Sequence, residues 1–185
     1  MATFLILAPY GVFAMLMLVS SVTVSLFAAA AVCLLAIARD LLGGRSVKLL
    51  GAGSAILFAG LGAHFALTGH VWSSSAVKLA VDAGILAIML ASLAIGKPFT
   101  LQYAREMADA GTAKLPDFLT ANYVITWAWA LAIALMMTAN ALVIYVPGLP
   151  LWTALAVALA ARTTALHFTR WYPEYRKAKS AAPAA

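Results

Sequence analysis

The first 38 residues carry no charge, and the whole 185-residue chain contains one cysteine, six acidic residues and three histidines. Each scarcity excludes something. A lone thiol, Cys33, allows neither an intramolecular disulfide framework nor a cysteine-based metal site, and its apolar surroundings read as a buried structural position. An N-terminus without Lys or Arg, followed by an apolar run far longer than a 7–15-residue signal core, does not fit a cleaved signal peptide and is expected to belong to the mature fold. No Ser-His-Asp, HExxH, phosphate-loop or GxGxxG pattern occurs, and the last apolar segment has no lysine placed for a retinal Schiff base.

What is abundant is apolar surface. Hydrophobic residues make up 65% of the chain, charged residues 10%, and the mean hydropathy is +0.99. Soluble domains hold roughly 45–50% apolar and about 25% charged residues, so this composition defines an integral membrane protein. As one helix the uncharged N-terminal run would be roughly 55 Å long against a hydrocarbon core of about 30 Å. The run is therefore expected to fold as a hairpin with its turn near Ser20 and Ser21.

Continuing in that phase, apolar segments long enough to span occur at about 3–19, 21–38, 47–68, 74–95, 119–145 and 150–169. The expected architecture is all-α: a polytopic bundle of six transmembrane helices, with a short cytoplasmic helix at the membrane interface between the fourth and fifth. A five-span version, with residues 1–38 as one long kinked helix, keeps the loop sides and moves only the N-terminus. Residues 1–175 are read as one transmembrane domain and 176–185 as a disordered cytoplasmic tail.

Net charge is +6. In a soluble chain that would suggest nucleic acid; here the cations report orientation, and no nucleic-acid partner is expected. Of twelve basic residues, all but Lys78 and Arg162 fall in three alternate regions, around Arg39–Lys48, Lys97–Lys114 and Arg170–Lys179. The other connections, around Ser20, Gly69–Ser73 and Pro147–Pro150, contain none. The positive-inside rule then puts the basic connections and both termini in the cytoplasm of a bacterial inner membrane. Trp72, Tyr145 and Trp152 would mark the outer interface, Trp171, Tyr172 and Tyr175 the inner one. Trp127 and Trp129 fit neither belt.

Small residues recur at four-residue spacing, as Gly51, Ala55, Ala59 and Ala63 on the third span and Ala76, Ala80 and Gly84 on the fourth. Such rows let helices approach closely in lipid, within one chain or between copies in a homo-oligomer.

Ionisable groups within spans are costly, by about 2.5–3.5 kcal/mol on insertion scales, and normally face a partner or water. Lys78 and Asp82 lie four apart on one helix face, and Asp82 and Arg162 differ in expected depth by roughly 6 Å. We expect an Asp82–Arg162 pair, with Lys78 sharing the carboxylate or reaching the outer interface, and Asn140 adding a polar point on the fifth span. This set, Lys78, Asp82, Asn140 and Arg162, either locks the bundle or lines a path for a permeating ion. His64 and His167 should lie towards opposite faces, and with His70 they make no expected metal or haem site; no cofactor is implied.

The connection after the fourth span is the most structured. Pro98 disfavours helix at Lys97, and Thr100 is expected to cap a helix from Leu101 to about Ala110. This segment, with Lys97, Phe99, Gln102, Tyr103, Arg105 and Glu106, is read as a cytoplasmic contact surface, at the membrane or as a solvated linker. Glu106, Asp109 and His167 have no spacing that enforces a catalytic geometry, and no enzymatic activity is expected.

Ala91-Ser92-Leu93-Ala94-Ile95-Gly96-Lys97-Pro98-Phe99, followed by Asn122-Tyr123-Val124-Ile125-Thr126-Trp127-Ala128-Trp129-Ala130, resembles the bacterial intracellular septation protein A family, in which a basic-Pro pair ends one span and an Asn- and Trp-containing stretch begins the next. The resemblance covers residues 70–140, and elsewhere only the span order. It implies a small multi-pass inner-membrane protein concerned with envelope upkeep and cell division, with the bilayer and other envelope or division proteins as partners, and no reaction. The Gln-Tyr-Ala-Arg-Glu helix and Arg162 depart from the family pattern.

Overall fold

A computed structural model describes residues 2–69, 72–109 and 111–181. All regular structure among them is helical: α1 (Ala2–Val19), α2 (Val22–Leu42), α3 (Leu49–Thr68), α4 (Ser74–Ala94), α5 (Phe99–Met107), α6 (Pro116–Tyr145) and α7 (Leu151–Ala181), with a single 3-10 turn at Thr112–Lys114. Four helices, α2, α3, α4 and α6, are long and apolar enough to cross a bilayer. Large apolar side chains such as Leu35, Ile56, Leu67, Leu131, Leu155 and Leu159 are exposed, as suits a lipid-facing surface. This is an all-helical membrane protein.

The helices form two compact units, residues 1–88 and 89–185, with the last turns of α4 counted in the second. In the first unit, α1 breaks from α2 where the serines stand. Ser21 is the N-cap of α2, its Oγ accepting from the Val24 amide at 3.3 Å, while the Ser25 hydroxyl donates to the Ser21 carbonyl at 2.9 Å. Tyr10 and Phe13 set their rings 5.9 and 5.6 Å from Phe58, and the Tyr10 and Ser54 hydroxyls meet at 2.6 Å, so α1 is tied to α3 by apolar and polar contact together.

Glycine makes the close approaches in this unit. A Cβ on Gly62 would come within 3.2 Å of the Phe27 ring, and one on Gly84 would overlap the Leu57 side chain. Gly84 belongs to the row of small residues read from sequence, whereas Gly62 lies outside the row on α3. The helical period alone could not say which small residue a large neighbour would cover.

In the second unit α6 and α7 form a hairpin around Ile125, Trp129, Ile133, Ala154 and Ala165. Trp129, which fits no aromatic belt, is buried and donates its indole N–H to the Thr169 hydroxyl at 3.0 Å; Thr169 in turn donates to the Ala165 carbonyl at 2.7 Å. In the first turn of α6, Asp117 pairs with Arg176. α7 continues as helix to Ala181, through the 176–181 stretch read from sequence as a disordered tail.

The turns ending α2 and α4 share one backbone. After α2 the Gly44 amide donates to Leu41 and the Arg45 amide to Asp40; after α4 the Gly96 amide donates to Leu93 and the Lys97 amide to Ser92. Both are Schellman caps, and both put a glycine in the left-handed region, with φ of +67° at Gly44 and +72° at Gly96. A basic residue comes directly after the glycine each time.

Candidate functional site

The two caps also share a device. The third residue from the end of each helix turns its side chain forward to hold the chain beyond the turn. Ser92, fully buried, donates its hydroxyl to the Met89 carbonyl at 2.6 Å and accepts from the Phe99 amide at 3.2 Å, which satisfies a donor at the start of α5 that has no partner within its own helix. Asp40 reaches Arg45 and Lys48, each at 3.3 Å.

Lys48 is the residue that sequence reasoning missed. Its place in a connection reads as that of a solvated loop cation, yet it is only 3% exposed, with Nζ donating to the Ser46 carbonyl at 2.8 Å as well as to Asp40. A signal was present: Asp40 is the only acid before Asp82, set among three cations.

α5 starts at Phe99 and stops at Met107, two residues earlier at its beginning and about three earlier at its end than expected; Ala110 lies outside the described residues. Thr100 is not its cap. The N-cap is Pro98, which has no side chain to offer, and the Thr100 hydroxyl donates instead to the Asn122 carbonyl of α6 at 2.9 Å, with the Thr126 hydroxyl 2.8 Å away. Phe99 and Leu101 are buried on either side of Thr100, so the first turn of α5 is the part held against the rest of the unit. Lys97, Arg105, Glu106 and Met107 are exposed, and Gln102 and Tyr103 are half-buried. Of the six residues expected to form the contact segment, Phe99, Gln102, Tyr103, Arg105 and Glu106 stand on α5, and Lys97 lies in the turn before it.

Its far end is fastened by Asp109. One carboxylate oxygen accepts the Gly111 and Thr112 amides at 3.0 and 2.9 Å, and the other accepts the Thr112 hydroxyl at 2.6 Å. These bonds, chiefly the Thr112 hydroxyl, hold the carboxyl below its usual range.

The polar residues expected within the membrane divide two and two. Lys78 and Asp82 belong to the first unit, where Asp82 is 9% exposed and Lys78 half-buried on the same face of α4. Asn140 and Arg162, both half-buried, belong to the second. The expected Asp82–Arg162 pair has one member in each unit and stands as a proposal.

His64 is exposed, edge-on to Phe65 at 5.5 Å and to Trp72 at 6.0 Å; His167 is exposed on α7, and His70 lies outside the described residues. Among the described residues no three His, Cys, Asp or Glu side chains gather for a metal ion. What the arrangement offers chemically is a set of cationic and amphipathic surfaces on anchored helices. No family model, curated protein or solved structure matches this chain.

Proposed function

We propose that the chain is a non-enzymatic protein of the bacterial inner membrane that crosses it six times, keeps both termini in the cytoplasm, and serves envelope maintenance or septation by contact with other envelope or division proteins. The observation that carries this reading is α5. Its first turn is pinned to α6 through Thr100, with Phe99 and Leu101 buried, and its last turn presents Arg105, Glu106 and Met107 outward, while Lys97 is exposed in the turn before it.

For the six-span count, α1 and α7 add to the four long apolar helices: the 18 residues of α1 rise roughly 27 Å, near the hydrocarbon thickness. The septation resemblance supplies the division context. The test is a deletion strain scored for cell length. Elongated cells rescued by the wild type and not by an Arg105→Ala/Glu106→Ala variant of equal abundance support the reading; rescue by both removes α5 as the contact surface.

A second reading, a small transporter or channel lined by Lys78, Asp82, Asn140 and Arg162, rests on the burial of Asp82 within an apolar span. It requires ion flux in proteoliposomes that Asp82→Asn abolishes.

A further inference from the structure

Beyond its apolar portion α7 changes character without ending. From Leu151 to Thr169 the helix rises roughly 28 Å, close to the thickness of a bilayer core. The same helix then runs on from Arg170 to Ala181, where four basic residues stand against one acid, Glu174.

This extension has three distinct sides. One faces α6, where Thr169 accepts from Trp129 and Arg176 meets Asp117. The second is aromatic: Phe168 stacks on Tyr172 and Trp171 on Tyr175, each pair with centroids 5.0 Å apart. Trp171 and Tyr175 remain 48% and 46% exposed. The third is cationic, since helical spacing puts Arg170 and Lys177 on the face roughly opposite the aromatic stripe, while Lys179 continues the stripe one turn beyond Tyr175; all three are exposed.

We propose that this stretch of α7 is a headgroup-level platform for anionic phospholipid, in which Trp171 lies at the level of the acyl-chain carbonyls, Tyr175 stands one turn above it, and Arg170, Lys177 and Lys179 engage lipid phosphates. The inference rests on α7 being a membrane span with a cytoplasmic C-terminal end.

Three features select a bilayer surface over a soluble polyanion. Amphipathic rings concentrate at the membrane interface, where an apolar body and a polar edge are both satisfied. Trp171 rises only about 3 Å beyond Thr169, within a headgroup layer roughly 5–7.5 Å deep, and Tyr175, about 9 Å beyond, stands just past its outer edge. Finally, cations at that depth gain from anionic lipid, whereas a soluble polyanion would engage the charges and leave the rings unoccupied. Because α6 holds the adjacent side through Thr169 and Arg176, the stripe is already aimed, and lipid binding orders little further.

The experiment uses the full chain in bilayers of equal phosphatidylcholine and phosphatidylglycerol, with bromine on the acyl chains of one lipid or the other. The readout is the fraction of tryptophan quenching that a Trp171→Phe variant lacks. At low salt, brominated phosphatidylglycerol should quench that fraction about threefold more strongly than brominated phosphatidylcholine. High salt, or the triple variant Arg170→Gln/Lys177→Gln/Lys179→Gln with helicity retained, should bring the ratio to unity.

Equal quenching by the two lipids, or a preference that survives charge removal, overturns the platform. So does loss of the preference on adding short duplex DNA, which assigns the cations to a soluble polyanion. The topology is read separately, by labelling Ala178→Cys in a Cys33→Ala background with an impermeant maleimide. Access only from outside the cell overturns the cytoplasmic placement, while a lipid preference in that same protein keeps the platform.

Discussion

The turn that ends α2 and the turn that ends α4 share a backbone and differ in what holds them. Each closes with a Schellman pair of hydrogen bonds, a left-handed glycine and a cation. The first is then fastened by charge, with Asp40 between Arg45 and a Lys48 almost removed from solvent. The second is fastened by a neutral hydroxyl, Ser92, joined to the Phe99 amide. The difference reflects the task. Between α2 and α3 the chain crosses several non-helical residues before a helix can restart, and an ion pair acts over a loosely defined distance. After α4 a new helix begins two residues beyond Lys97, and a single hydrogen bond can meet its first donor directly.

If that distinction is right, the largest effect comes from Asp40→Asn, which removes a carboxylate held against the buried Lys48 and should cost about 3 kcal/mol in detergent-titrated unfolding. Lys48→Met should cost less, and adding it to Asp40→Asn should restore most of the loss. Failure of the double variant to recover would mean that the charges do not act as a pair.

Next in size is Ser92→Ala, expected to cost about 1–2 kcal/mol and to raise amide hydrogen exchange in α5 while leaving α2 and α3 protected. Gly44→Ala and Gly96→Ala should cost about 1 kcal/mol each, because both glycines sit in the left-handed region; equal losses would show that the two turns share their backbone energetics as well as their geometry. Raising salt to several times the physiological level should weaken the α2–α3 connection by a few tenths of a kcal/mol, since Arg45 is half exposed, and leave the α4–α5 connection unchanged by hydrogen exchange.

The smallest effect is expected at Asp109, an ionic fastening in full contact with solvent. Its folded carboxyl titrates below the unfolded value of 3.8, so its contribution is complete above that pH and fades as pH falls through the lowered folded value. NMR of the Gly111 and Thr112 amides should therefore show their bonds to Asp109 released only in that acid range, with α5 and α6 still folded.

Hydropathy made the long helices legible because an apolar run in lipid must be helical to satisfy its backbone. The turn at Ser20–Ser21 was legible for a local reason, the capping power of serine. The end of α7 was not. Beyond Thr169 the residues are amphipathic, and hydropathy reports the surrounding solvent rather than the helix itself. Thr100 misled for a related reason: it has the chemistry of a local cap, yet its hydroxyl bonds 22 residues away in sequence, at Asn122. Lys48 illustrates the same limit, since a lysine in a short connection reads as solvated until the position of Asp40 is known. Of the intramembrane set, only the Lys78–Asp82 relation follows from the helical period. Pairing Asp82 with Arg162 needed two helices to be set at matching depth, which no local pattern encodes.

The link from the Trp129 indole through the Thr169 hydroxyl to the Ala165 carbonyl acts as a rivet between two greasy rods. Sliding α7 along α6 by even one residue, about 1.5 Å, would strand the indole proton in an apolar seam. Pistoning between these two helices is thereby forbidden at low energy, and a push delivered at the C-terminal end of α7 must carry α6 with it.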